Sequence, residues 1–304
     1  MRSTVGFSVT LWLVLAAAVL PSAAQNSQGL ALNAEAVLLL DADGKVLFAK
    51  NSGDDHAPAS LVKLMTLYLA FEDLEAGRAE WDEGVTVSRH AAGTPRYRMG
   101  LRTRETVPLS TLLEGVGIAS ANDAAAAVAE HLAGSEEAFV RRMNTKAQLL
   151  GLVATRFANP HGLPDPTQRT NALDMAALIG HLVTDYPASR TILGGKTFVY
   201  RGRVYSRRIP LFDDPGGVQA LKTGFTNEAG YNLAIAAWRA GQRFLLIVLG
   251  AQTRSLSFRD ARKLLQYGFI ANGLDGGDEP PRRPDPATPR RPTRRSRAAI
   301  PFAG

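Results

Sequence analysis

The segments that read as β-strands lie at the two ends of the globular part of this chain, and the segments that read as helices lie between them. Near the start, Ala36–Asp41 and Val46–Ala49 are apolar runs flanking Ala42-Asp43-Gly44-Lys45, the pattern of a hairpin closed by a Gly-containing turn. Near the end, Asn232–Trp238 and Arg243–Leu249 flank Arg239-Ala240-Gly241-Gln242, a second hairpin, and Leu256–Phe269 follows as a helix. Between them, Leu61–Leu74 carries apolar residues at 61, 64, 65, 67, 68, 71 and 74, the stripe of a buried helix. Asn122–Leu132 and Glu136–Leu150 read as two more helices, and Ala172–Leu182 as another, with Asn171 three residues before Asp174 as at a capped start. Strand edges must pair, so this order predicts an α+β fold: an antiparallel sheet joining the N- and C-terminal strands, flanked by a helical subdomain. No internal repeat is visible.

Composition narrows the setting. The chain has 304 residues, 45% hydrophobic, so it can bury a real core, and no cysteine, which excludes disulfides, thiolate metal sites and a thiol nucleophile. Residues 1–24 have the form of an export signal. Arg2 starts it, Phe7–Leu20 is uncharged but shorter than the roughly 20 apolar residues of a membrane span, and Pro21-Ser22-Ala23-Ala24 offers small residues for cleavage. The sequence therefore predicts an exported, periplasmic or cell-envelope protein with a body over 25–273. The remaining stretch, 274–304, contains EPPRRPDPATPRRPTRRSR and reads as a solvated Pro/Arg tail. Such a tail is either a weak tether to a membrane or anionic polymer or an unconstrained terminus. The net charge of +7 is in part this appendage, and the basic balance does not call for nucleic acid.

Three short motifs carry the chemistry. In Ser60-Leu61-Val62-Lys63 the hydroxyl and the amine, three residues apart, share a helix face. A serine is a poor nucleophile until a neighbouring base takes its proton, and a buried lysine with a lowered pKa is such a base. By composition alone an S-x-x-K arises about once in a chain this long, so it could equally be a capping Ser and a surface Lys. Ser120-Ala121-Asn122 lies between the apolar run Leu112–Ala119 and an Ala-rich helix, and would pass for a helix cap in isolation. Lys222-Thr223-Gly224 is rarer, about one chance occurrence in ten such chains. It follows a strand-like run, with a Gly that allows close backbone approach and a Lys and Thr suited to a carboxylate.

In this order the three motifs resemble the signature shared by penicillin-binding proteins and class A β-lactamases. The stretches PASLVKLMT (58–66), SANDAAAAVAEHLAGSEEAFV (120–140), ANPHGLPD (158–165), LKTGFTNEAGYNLA (221–234) and IVLGA (247–251) look like the low-molecular-weight D-alanyl-D-alanine carboxypeptidases, serine peptidases of family S11, over about residues 30–270. The resemblance implies a β-lactamase/transpeptidase-like fold and removal of the terminal D-alanine from peptidoglycan stem peptides. Ser60 would be the nucleophile and Lys63 its base. Ser120, with Lys222, would pass a proton to the departing D-alanine, and Asn122 would orient Lys63 and the substrate amide. Lys222 and Thr223, followed by Gly224, would bind the substrate carboxylate, and the N–H groups of Ser60 and Phe225 would form the oxyanion hole. It implies no metal, no organic cofactor, and covalent inhibition by β-lactams.

Ala121 stands where Gly is commoner in the family. The carboxylate-binding arginine expected after IVLGA is either Arg254 or Arg259. Many relatives continue into a β-rich domain and a C-terminal membrane anchor, so the Pro/Arg tail implies that the second domain is absent here. His161 reads as a turn residue at the rim, without an evident acidic partner, His56 as exposed loop, and Asp174 as a helix-start residue. Alternative activities are a D-alanyl endopeptidase of the same family, a serine β-lactamase, or a non-catalytic cell-wall binder. Residues 155–171 contain no Glu, whereas a class A β-lactamase needs one about 40 residues past the second motif. A pure binder has no use for an activated serine.

Overall fold

A computed structural model describes residues 30–214 and 216–274. The expected export signal and all of the tail beyond Leu274 lie outside the described residues. The chain opens with β1 (Ala36–Leu40) and β2 (Val46–Lys50), then a 3-10 turn at Ala59–Val62 that leads into α1 (Lys63–Glu75). The helical subdomain follows: β3 (Gly84–Thr86), α2 (Arg89–Gly93), β4 (Thr106–Pro108), α3 (Leu109–Gly117), α4 (Asn122–Ala133), α5 (Glu136–Leu149) and α6 (Ala172–Asp185). After α7 (Ser189–Gly194) come the hairpin β5 (Thr197–Tyr200) and β6 (Arg203–Ser206), the long strands β7 (Val218–Thr226), β8 (Gly230–Arg239) and β9 (Gln242–Ala251), and α8 (Arg254–Ala271).

The main sheet has the order β2-β1-β9-β8-β7, so the N-terminal hairpin joins the C-terminal strands as the sequence predicts. All its pairs are antiparallel. The β8–β9 hairpin turns through Ala240 (φ 48°) and Gly241 (φ 79°), the two positive-φ positions of a type I′ turn. Both faces of the sheet are covered, which is why its strands read as continuous apolar runs. Leu38, Ala234, Ala236, Leu245 and Ile247 pack into the helical subdomain. Their alternate neighbours Val37, Leu39, Leu233, Ile235, Leu246 and Val248 pack with Phe258, Leu264 and Phe269 of α8.

Helix α1 is buried nearly all round, against α3, α4, α5 and α6. Leu64 and Leu67 are fully buried, each contributing about 1.5–3 kcal/mol of hydrophobic stabilisation. This burial fixes the base of the site. The α-helix starts at Lys63 rather than Leu61, because the chain enters through the 3-10 turn from Ala59, a non-glycine residue at φ 49°. Helix α8 starts at Arg254, two residues before the sequence pattern suggests, because Thr253 Oγ1 accepts from Leu256 N–H at 3.2 Å.

One of the two loop expectations needs correction and the other holds. His56 is not exposed: its backbone pairs with Thr170 in both directions, and its side chain is 11% accessible. Asp174 does lie in the first turn of α6, with its N–H capped by Asn171 Oδ1 at 2.8 Å. Its carboxylate also accepts from Ala154 N–H and the Thr155 hydroxyl, tying the loop after α5 to α6.

Candidate active site

The site lies where the 3-10 turn, the N-terminus of α4 and the outer strand β7 meet. In a 3-10 turn residues three apart eclipse one another, so the spacing of Ser60 and Lys63 becomes a direct contact, Lys63 Nζ to Ser60 Oγ at 3.2 Å. Lys63 is fully buried. Its amine also donates to Asn122 Oδ1 at 2.7 Å and to the main-chain oxygen of His161.

Ser120 and Asn122 are not helix caps. Ala121 is the N-cap of α4 and Ser120 adopts φ 55°, a left-handed conformation costing about 1–2 kcal/mol for an L-residue. The strain aims the Ser120 hydroxyl at Lys222, which donates to it at 2.8 Å and to Thr223 O at 2.9 Å. Asn122 uses both ends of its amide: Oδ1 receives Lys63, and Nδ2 donates to Pro95 O at 2.9 Å.

Strand β7 passes close to the nucleophile, and Gly224 makes that possible. A Cβ at this position would stand 3.1 Å from both Pro58 O and Ser60 N. Gly162 closes the opposite side; at φ 84°, its Cβ would fall 2.1 Å from Ala59 O. The two glycines thus let backbone press on the turn carrying Ser60 from two directions. Asn232 adds to the clamp, donating through Nδ2 to Ala57 O at 3.0 Å and to Pro58 O at 3.3 Å.

All seven site residues singled out in the sequence are therefore brought together. Ser60, Ser120, Lys222, Thr223 and Gly224 line one groove of about 560 Å³, while Lys63 and Asn122 lie beneath it. Tyr97, Arg98, Tyr205, Arg207, Phe225, Tyr231 and Arg254 complete much of its wall, with Phe225 and Tyr231 stacked at 4.3 Å. No carboxylate lines the groove among the described residues. Nor does any group of three or more His, Asp or Glu side chains there offer a metal site.

Electrostatics separates the two lysines. Burial lowers Lys63 to about 7, against an opposing pull from the Asp123 carboxylate. Lys222 is pushed well below the ordinary lysine value by burial, then by the positive charges of Lys63 and Arg207. Arg207 is itself lowered to about 10 by burial, and it donates to the carbonyls of Gly195, Gly117 and Leu221 at 2.7, 3.2 and 2.9 Å.

Several working residues lack a signal in the sequence. Arg207 belongs to no motif. Asp123 follows Asn122 and is buried; it accepts from the N–H groups of Met99, Gly100 and Leu101, pinning the loop that carries Tyr97 and Arg98. The arginine alternatives divide: Arg254 lines the groove and donates to Arg208 O at 2.6 Å, whereas Arg259 is exposed and not part of the groove wall. His161 is not a simple rim residue. It is buried, has an acidic neighbour in Glu136 at 3.5 Å, and gives its carbonyl to Lys63.

A profile of the D-alanyl-D-alanine carboxypeptidase family, peptidase family S11, matches residues 22–253. The chain belongs to this family. Among its S11 relatives, the D-alanyl-D-alanine carboxypeptidase DacC of Escherichia coli (strain K12) is 38% identical over 256 residues, covering 82% of this chain. The chain spans 64% of the length of that relative. The crystal structure of penicillin binding protein 5 from Haemophilus influenzae superimposes with a TM-score of 0.77 at 35% identity, covering 79% of this chain and 72% of that one. Penicillin-binding protein D2 from Listeria monocytogenes, in its cefotaxime-bound form, gives 0.72 at 30% identity, over 79% of this chain and 98% of that one. The architecture is the α+β fold of the penicillin-binding proteins.

Proposed function

We propose that this chain is a serine-type D-Ala-D-Ala carboxypeptidase that trims the terminal D-alanine from peptidoglycan stem peptides through an acyl-enzyme on Ser60. The observation that carries the reading is the buried Lys63 amine 3.2 Å from Ser60 Oγ, with a pKa near 7. Neutral Lys63 takes the Ser60 proton as Oγ attacks the carbonyl carbon between the two D-alanines. The N–H groups of Ser60 and Phe225 receive the oxyanion, a reading supported by the close approach of β7 to Ser60 N. The C–N bond then breaks, and the leaving amine receives its proton through Ser120, in contact with Lys222. Water next attacks the Ser60 ester, a proton returns to Oγ, and the shortened peptide departs. Lys222, Thr223 and Arg254 hold the substrate carboxylate; the groove wall, with arginines and without carboxylates, supports this role.

Residues 25–273 form the catalytic domain in this reading, residues 1–24 direct export to the periplasm or cell envelope, and the tail is a spacer or weak tether. Among the described residues no helix is long and apolar enough to cross a membrane. β-Lactams acylate the same serine; the cefotaxime-bound relative supports this.

The test is release of D-alanine from a pentapeptide ending in D-Ala-D-Ala, with Ser60→Ala as control. Release by the wild type and not by the variant is the expected result, and no release by the wild type defeats the proposal. A penicillin label that persists on Ser60 distinguishes this enzyme from a β-lactamase, which sheds it. Comparing monomeric with cross-linked peptide separates carboxypeptidase from endopeptidase activity. Removing residues 274–304 leaves release intact if the tail is only a spacer or tether.

A further inference from the structure

A low pKa does not by itself make Lys63 an effective base; its lone pair must also point at Ser60. A neutral amine has two N–H donors and one lone pair. Here two carbonyl oxygens take the two donors, Asn122 Oδ1 and His161 O, and the lone pair is left facing Ser60 Oγ. The carbonyl of His161 is therefore as much a part of the base as Asn122 is, although it stands on a loop 98 residues away in sequence.

Side chains hold that loop from two directions. Asn159 Oδ1 accepts from His161 N–H at 3.3 Å and from Gly162 N–H at 2.7 Å. The buried imidazole does the rest. Its Nδ1 accepts from Leu163 N–H at 3.3 Å, which leaves the proton on Nε2, and Nε2 faces Glu136 Oε1 at 3.5 Å. The second oxygen of Glu136 lies 3.0 Å from His90 Nε2 on α2. Burial would raise the Glu136 carboxyl, but hydrogen bonds from His161 and His90 outweigh it and hold the group below its usual range, so it is an anion. The rim segment after α2 also reaches the other acceptor: Pro95 O receives Asn122 Nδ2, and Tyr97 O receives Asn122 N–H at 2.7 Å. Both carbonyls that orient Lys63 are thereby tied to one rim segment, residues 90–97, and Glu136 makes one of the two ties.

We propose that Glu136 is a positioning residue for the reaction: its carboxylate, held between His161 and His90, sets the His161 carbonyl that directs the Lys63 lone pair onto Ser60. The inference rests on the carboxypeptidase reading above. Its rival is a purely local role, since Glu136 also occupies the first turn of α5, where any carboxylate favours the helix.

The experiment is a double-mutant cycle on the full chain, read as the second-order rate of Ser60 acylation by a fluorescent penicillin, with thermal stability recorded for each variant. Glu136→Ala slows acylation about tenfold, the usual scale for removing a group that orients a reacting one, and lowers kcat for D-alanine release with KM nearly unchanged. Glu136→Gln, whose amide oxygen still accepts from His161 Nε2–H, recovers to within about threefold of wild type. His161→Ala slows acylation comparably, and the double variant is no slower than the slower single one. Should Glu136→Ala fail to fold, Glu136→Leu keeps the bulk without the acceptor and takes its place in the cycle. Wild-type acylation rates in Glu136→Ala, or effects of the two substitutions that multiply, overturn the inference and leave the carboxypeptidase reading standing. A wild type that penicillin does not label overturns the reading and the inference together.

Discussion

Lys222 lines the groove and Lys63 lies beneath it, both buried and both bonded to a serine hydroxyl, yet their surroundings differ in charge. Lys63 opens a helix packed into the core, and the Asp123 carboxylate partly restores what burial removes, leaving its pKa near 7. Lys222 lies on a strand, and the charges acting on it, those of Lys63 and Arg207, are positive and drive its pKa down further. Lys63 can thus exchange a proton near neutral pH without outside help. No negative charge offsets the burial of Lys222, and in the proposed reaction an incoming carboxylate supplies one. In the proposed mechanism the two lysines take different tasks because of what surrounds them, since the side chains themselves are the same.

The widest separation between them should appear on removal. Lys63→Ala is expected to slow acylation of Ser60 by about 10³-fold or more, since it deletes the proposed general base. Lys222→Ala should cost about 10²-fold, mostly in D-alanine release and less with a ligand lacking a carboxylate. Stopped-flow acylation with paired ligands measures both, and equal losses for the two variants would erase the proposed division of labour. Next in size is an arginine of the same groove. Arg254→Ala should raise KM for the pentapeptide about tenfold, as expected for one charge-assisted hydrogen bond, while Arg259→Ala leaves it nearly unchanged.

A smaller effect sharpens the account of Lys63. The pH profile of kcat/KM should show an acid limb near 7, where Lys63 loses its proton. Asp123 raises that pKa, so Asp123→Asn should move the limb to lower pH; a shift upward contradicts the electrostatic account. The last effect is on stability rather than on rate. Lys63 titrates near 7 in the folded chain against 10.5 as its ordinary value, so between these pH values the unfolded chain binds more protons. Stability contributed through this group therefore rises with pH across that window. Urea unfolding at pH 7 and pH 10 should show a smaller rise in Lys63→Met than in the wild type.

Much of this site is legible in the sequence. The spacing of Ser60 and Lys63 is local, so a tight turn must bring them together, and the apolar stripe of Leu61–Leu74 announces that the lysine will be buried. The hairpins and the outward order of strands and helices follow from turn residues and periodicity. Less legible was the 3-10 entry to α1, because the positive φ of Ala59 is imposed by packing against Gly162, a hundred residues onward. The sequence reads His161 as a rim turn because its partner Glu136 belongs to a separate helix, and nothing between residues 136 and 161 marks the pairing. Arg207 and Asp123 carry no sequence signal for a related reason: one binds main-chain carbonyls and the other main-chain N–H groups, contacts that leave no pattern of side chains to read.

By itself, the sequence determined which chemistry is present and where the local geometry would place it: a serine and a lysine on one turn, a second serine and an asparagine at a helix start, and a lysine on a strand edged by glycine. Tertiary structure alone decided how these pieces act on one another. Lys63 meets Asn122 and His161, and Lys222 meets Ser120, across separations of 59, 98 and 102 residues. The pKa values of both lysines depend on the burial and the neighbouring charges created by those meetings. Hydrogen-bond partners and desolvation are properties of the assembled site, and the proposed base rests on them rather than on the motif residues alone.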